Sequence, residues 1–189
     1  MNQEHATDAA RLLCLARDVP AATGAWNTDT RLEPLTAFLR EVRRALGMQV
    51  AFVARFARGH RVVAAVDLDA PARVPLLAGD IDELEDTYCH LVAREQLHAV
   101  VRDTAAHPGI SALPITRRLG IGCYISARVV LRSGEVYGTL CCFSQEARPD
   151  LQEIDAAALQ AVADAIAADI DRHGQLTSRI WQWSSSAPA

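Results

Sequence analysis

Residues 121–131 (IGCYISARVVL) and 135–144 (EVYGTLCCFS) are two long strand-forming segments separated only by Arg132, Ser133 and Gly134. So short a connection joins antiparallel strands, because parallel neighbours need a crossover of a dozen or more residues. A purely parallel βαβ wind is therefore excluded. Residues 48–56 (MQVAFVARF) and 60–67 (HRVVAAVD) repeat the pattern about a turn at Arg58 and Gly59, which gives a second hairpin.

Helical periodicity brackets these hairpins. Leu32, Leu35, Phe38, Leu39, Val42 and Leu46 keep i, i+3, i+4 spacing, and Gly47 supplies a stop. Thr30 and Glu33 stand at capping-box spacing, although Pro34 complicates that start. A last helix opens near Pro149 and Asp150, with Glu153 at capping-box spacing from Asp150. Its stripe runs through Leu151, Ile154, Leu159, Val162, Ile166 and Ile170. A short helix is expected over residues 7–18, a loop over 69–82, a helix over 83–94, a strand over 97–102 and a helical turn ending near Leu119. Hairpins set between long helices predict an α+β fold with an antiparallel sheet.

Half of the 189 residues are hydrophobic and 22% are charged, enough for one globular core. A net charge of -4 with scattered arginines gives no basic stripe, so nucleic acid is not an expected partner. No apolar run is long enough to span a bilayer, and the first residues lack a signal peptide's pattern, so a cytoplasmic protein is expected. Five cysteines, two of them adjacent and none in a C-x-x-C pair, suggest free thiols and not a disulfide framework or zinc ribbon.

The stretch EDTYCHLVAREQLHAVVRDTAAHP, residues 85–108, carries the densest potential chemistry: Cys89 beside His90, then His98 and His107. Consecutive helical residues point about 100° apart, so His90 does not naturally face Cys89 and a catalytic dyad is disfavoured. The histidine spacing matches no zinc pattern. Cys89 reads more simply as a packed thiol. Asp103 at a strand end can bond a ligand or cap the following turn, the turn being the commoner use. Tyr88 and Tyr124 suit either a ligand or an amphipathic core.

The local texts YCHLV, HAVVRDTAAHP and LGIGCYISARVVLRSGEVYGTLCCF, with the order of elements, resemble the GAF family of small-molecule-binding sensory domains. The resemblance covers about Leu32 to Ile170. It is carried by Tyr88 and Cys89 on the short helix, Asp103 after the next strand, and Gly134 and Gly138 in the final hairpin. It implies an antiparallel sheet with the terminal helices on one face and a ligand pocket on the other. Residues 1–29 then form a helical lead-in, 30–173 the GAF-like domain and 174–189 a tail.

Alternation tests that implication. Ile121, Cys123, Ile125, Val129 and Leu131 share one strand face, and Tyr124, Ser126 and Arg128 the other. In the next strand Tyr137, Thr139, Cys141 and Phe143 are assigned to the pocket, with Gly138 facing a helix at close approach. Cys141 and Cys142 then point to opposite sides and cannot share a metal; both are expected in the core. The expected ligand-binding residues are Tyr88, Cys89, Asp103, Tyr124, Ser126, Thr139 and Cys141. Residues 104–114 are expected to cover the pocket.

The resemblance implies a non-covalent sensor with no catalytic residue and no metal, whose cofactor the motifs leave unknown. Phytochromes are similar and carry a bilin on a Cys-His pair, but their attachment place corresponds to Ser111 and Ala112 here, which have no thiol. A bilin on Cys89 would need another geometry. Free methionine-(R)-sulfoxide reductases are also similar, but their nucleophile falls near Ala112 or Leu113, so a redox enzyme is the weaker alternative. A ligand-free interaction module is a third. The helix stripes exceed what one sheet face is expected to bury, which predicts a homodimer, with a separate protein as a possible reader of the signal.

Overall fold

The computed structural model describes residues 9–17, 33–69, 73–97 and 99–173. Helix α1 covers residues 9–17 and α2 covers Glu33–Ala45. Strands β1 (Val50–Ala57) and β2 (His60–Leu68) follow, then β3 (Ile81–Glu83), a 3-10 turn (Leu84–Asp86), α3 (Tyr88–Ala93) and β4 (Val100–Val101). A second 3-10 turn (Thr104–Ala106) leads to α4 (Pro108–Ser111) and α5 (Pro114–Leu119). The chain then runs through β5 (Cys123–Val130), β6 (Val136–Ser144) and α6 (Glu153–His173).

Among the described residues the strands form one antiparallel sheet in the order β3-β2-β1-β6-β5-β4. The α+β architecture expected from the hairpins is the one found. The β1–β2 turn has Arg58 at φ 51° and Gly59 at φ 83°, the left-handed pair that matches strand twist. Helix α2 ends in a Schellman arrangement: Met48 N–H donates to Arg43 O at 2.9 Å and Gly47 N–H to Arg44 O at 3.1 Å, with Gly47 at φ 61°. The Thr30 cap expected at its other end lies outside the described residues, as does the tail.

Two apolar layers flank the sheet. On one face α1, α2 and α6 pack over Ala51, Val53, Ile125, Val129, Leu140 and Cys142. Arg43 and Arg40 of α2 both bond Asp67 of β2, at 2.7 and 3.2 Å, which ties the helix to the sheet through a buried carboxylate. On the other face α3, α4 and α5, with Val74 and Leu76, cover Phe52, Tyr124, Cys141 and Phe143.

Several expectations are corrected. The expected loop 69–82 ends in β3, and the expected helix 83–94 splits into a 3-10 turn and α3. Tyr137 packs with the helical layer, because a bulge sets Val129 opposite Gly138 and Val130 opposite Val136 and so shifts the alternation. Ile121 packs on the α3 side, since the regular strand begins only at Cys123. Gly138 meets a strand and not a helix: an added Cβ there would sit 1.9 Å from Ala54 O. Asp150 is held by Arg148 at 2.5 Å, and the last helix is capped three residues on from Gln152, whose N–H donates to Asp155 Oδ2 at 2.9 Å. Ile154, placed in the stripe, is exposed.

Apart from Leu32, which lies outside the described residues, the rest of both stripes is buried within one chain. Leu35, Leu39, Val42, Leu159, Val162 and Ile166 are all at most 3% exposed. The surplus from which a homodimer is expected is therefore not present at those positions.

Candidate functional site

The site lies where α3 crosses the sheet face opposite the terminal helices. Thr87 opens α3 in an extended conformation, so Tyr88 and Cys89 enter on the first turn and both point into the core, while His90 is half-buried. The structure separates Cys89 from the adjacent histidine and gives it partners that are distant in sequence.

Cys89 Sγ is 4.0 Å from Cys141 Sγ of β6, and Cys141 Sγ is 2.9 Å from the hydroxyl of Tyr124 on β5. Tyr88 and Tyr124 meet edge to face with ring centroids 4.8 Å apart. The Tyr88 hydroxyl lies 2.7 Å from Thr116 Oγ1, which itself donates to Ile110 O at 2.6 Å. Thr116 has a single hydroxyl proton, so Tyr88 is the donor in that chain. It tethers α3 to α5.

Sequence reasoning missed Arg61. Its side chain is 2% exposed, lies over the Phe52 ring at 5.5 Å and forms an ion pair with Asp82 of β3. Asp82 is shared with Arg118 of α5, so two guanidiniums divide one carboxylate. Arg61 Nε is buried without a hydrogen-bond partner. The available signal was a charge in the inward phase of an apolar strand: Arg61 and Val63 are two residues apart and both face this layer.

These groups reshape the acidities of the thiols. The Cys89 thiol is lowered to about 6, first because Cys141 hydrogen-bonds the thiolate and then through the charge of Arg61, against the opposing effect of burial. Burial, and then the bond to Cys89, push Cys141 well above its usual range. Tyr124 is raised by burial and by the two sulfurs, and Tyr88 is pushed up to about 12 by burial. When Cys89 is the thiolate, the Cys141 S–H is the donor to it and the Tyr124 O–H is the donor to Cys141.

A narrow cavity is lined by Phe52, Arg61, Tyr88, Cys89, Tyr124 and Phe143, with Ile115, Leu119 and Ile121 closing it from the α5 side. Its internal volume is about 10 Å³, the room of one water molecule. Of the residues expected at a ligand, Tyr88, Cys89 and Tyr124 stand on this wall. Ser126, Thr139 and Cys141 are fully buried just behind it, and Ser126 Oγ and Thr139 Oγ1 make no hydrogen bond of ordinary geometry. Asp103 is not brought there: it is exposed, and its carboxylate accepts from Ala105 N–H at 2.9 Å to cap the 3-10 turn. His107 is also on the surface, and His98 lies outside the described residues.

The family model for the GAF domain matches residues 30–170, most of the chain. The chain belongs to the GAF family. GAF domains are sensory and regulatory modules, generally ligand-binding and not enzymes. Among solved structures, the phycocyanobilin-bound GAF domain of a cyanobacterial phytochrome is 22% identical, with a TM-score of 0.65, covering 85% of this chain and 94% of that one. The GAF domain of an Acinetobacter phosphoenolpyruvate-protein phosphotransferase is 14% identical, with a TM-score of 0.61, covering 93% and 96%. Both likenesses are of fold. No curated protein matches the chain in sequence. Among the described residues no helix of this GAF domain is long and apolar enough to cross a membrane.

Proposed function

We propose that this GAF domain is a cytoplasmic sensor that takes a small molecule non-covalently into the cleft between α3, α5 and the sheet. The observation that carries this reading is Arg61, a buried cation on the cavity wall whose Nε has no partner. A buried donor left unsatisfied costs free energy that a ligand acceptor recovers. With aromatic rings on both sides, the cleft favours a flat ligand carrying a carboxylate or similar anion.

The internal volume admits only about one water, so such a ligand enters as α4 and α5 lift from the sheet. The signal is the difference in affinity between the covered and lifted arrangements, passed across the sheet to α2 and α6. A separate output protein reads it there. A second copy of this chain would have to meet the outward residues of that layer, where Leu13 and Ile154 are exposed.

Native mass spectrometry of freshly purified protein tests the reading. The expected result is a retained small anion that is absent from Arg61→Met. An empty wild-type protein whose melting temperature does not rise with any of a panel of small aromatic and aliphatic carboxylates would overturn it. That outcome would favour the ligand-free module, for which the observation is that Tyr88, Tyr124, Phe52 and Phe143 already fill the cleft. The sulfoxide-reductase reading predicts thioredoxin-dependent consumption of free methionine sulfoxide, lost in Cys89→Ser. No turnover by the wild type removes it.

A further inference from the structure

Two thiols from distant parts of the chain face one another at the inner end of the cleft, Cys89 of α3 and Cys141 of β6, with Sγ atoms 4.0 Å apart and both residues buried. The cavity reaches only one of them. Its wall includes Cys89, Arg61 and Tyr124 but not Cys141, and its volume is that of about one water. A two-oxygen peroxide is close to that size, whereas a larger organic molecule needs the cover to lift. We propose that Cys89 and Cys141 are a hydroperoxide-responsive pair, in which Cys89 is oxidised first and Cys141 then closes a disulfide between α3 and β6. This goes beyond ligand binding and does not rest on it.

The roles follow from the surroundings. Arg61 and Cys89 stand on the wall of the same cavity and Cys141 Sγ is 4.0 Å from Cys89 Sγ, so the guanidinium and the Cys141 S–H are both placed to stabilise a Cys89 thiolate. The thiolate attacks one peroxide oxygen and the O–O bond breaks. The departing hydroxide takes up the proton that Cys89 had released and leaves as water, with Cys89 now a sulfenic acid. Cys141 sulfur then attacks the Cys89 sulfur, an S–S bond forms and the S–O bond breaks. The second hydroxide leaves as water with the proton of Cys141. Two thiols have lost two electrons, and the peroxide has gained them.

For the second step the sulfurs must close from 4.0 Å to about 2 Å. Helix α3 has six residues and no side-chain cap at Thr87, so it is the element able to shift. Its displacement pulls on Tyr88 and, through Thr116, on α5. Oxidation also removes the thiolate beside Arg61. Both changes alter the cleft, and that is the readout of the switch.

The test uses the Cys14→Ser protein, because Cys14 is the exposed thiol among the five. It is treated with stoichiometric hydrogen peroxide, quenched, and read by intact mass, thiol titration and peptide mapping. The expected result is the loss of two thiols and two hydrogens, a peptide linking Cys89 to Cys141, and reversal by dithiothreitol. In Cys141→Ser the reaction should stop at a single added oxygen on Cys89 that is trapped by dimedone. An unchanged mass, or a linkage through Cys123 or Cys142, would overturn the proposal. The first reading uses both native thiols, so it stands even where a serine variant loses its fold.

Discussion

Arg61 and Asp82 are register partners on β2 and β3, and the buried guanidinium is paired with a carboxylate that is itself only 19% exposed. Removing one member of a buried pair leaves the other charge without compensation, at a cost of about 3–5 kcal/mol. Asp82→Asn should therefore lower the unfolding free energy by about 3 kcal/mol, the lower end of that range because solvent reaches part of Asp82. Urea denaturation measures it. Adding Arg61→Met to Asp82→Asn should restore part of the loss, which a merely local packing effect at Asp82 would not do.

Glycine positions give a paired contrast. An Ala Cβ at 138 would collide with the β1 backbone, 1.9 Å from Ala54 O, so Gly138→Ala must separate β1 from β6 or deform the bulge. A loss of about 3 kcal/mol is expected. Gly134 has open space about it but a φ of 85°, so Gly134→Ala should cost only about 1 kcal/mol, from backbone strain. Chemical denaturation of the two variants distinguishes collision from strain.

The helix stripes can be tested for what they cover. Leu159 is fully buried between α6 and the sheet of its own chain, so Leu159→Ala should cost about 2–5 kcal/mol in urea without altering the sedimentation coefficient. Exposed Ile154 should tolerate alanine within about 0.5 kcal/mol. A change of sedimentation in Leu159→Ala would instead place that stripe in an interface.

Alkaline stability follows from Tyr88. Its hydroxyl ionises near 10 in the unfolded chain and is pushed up to about 12 in the folded one by burial. Between these values the unfolded state holds fewer protons, so stability is complete below pH 10 and is lost as pH rises toward 12. Tyr88→Phe should flatten that loss. Unfolding free energies from pH 9 to 12, with tyrosinate absorbance followed in parallel, check the sign.

Much of the fold was legible because its signals are local. The period of two along residues 121–144 fixed which residues of the last hairpin share a face. The 3.6-residue stripes fixed the two long helices, and Gly47 and Gly59 marked turns that need a positive φ. Where alternation failed, at Tyr137 and Ile121, the cause was a bulge and a late strand start, which depend on how a partner strand pairs. Tyr88, Cys89 and Tyr124 could be placed near one another by resemblance. Asp103 could be placed only at a strand end, and there its shortest available partner was its own following turn.

By itself the sequence determined the α+β class and the antiparallel pairing, since both depend on periodicity and short connections, whereas the side of the sheet on which α3 lies was implied only by the resemblance to the GAF family. The tertiary structure decided the chemistry. Cys89 is 52 residues from Cys141, and Arg61 is 21 from Asp82, which is 36 from Arg118. Such pairs meet only once β3 pairs with β2 and α3 and α5 are laid over the sheet. Acidity, burial and unsatisfied hydrogen bonds are properties of those meetings, so no window of sequence contains them.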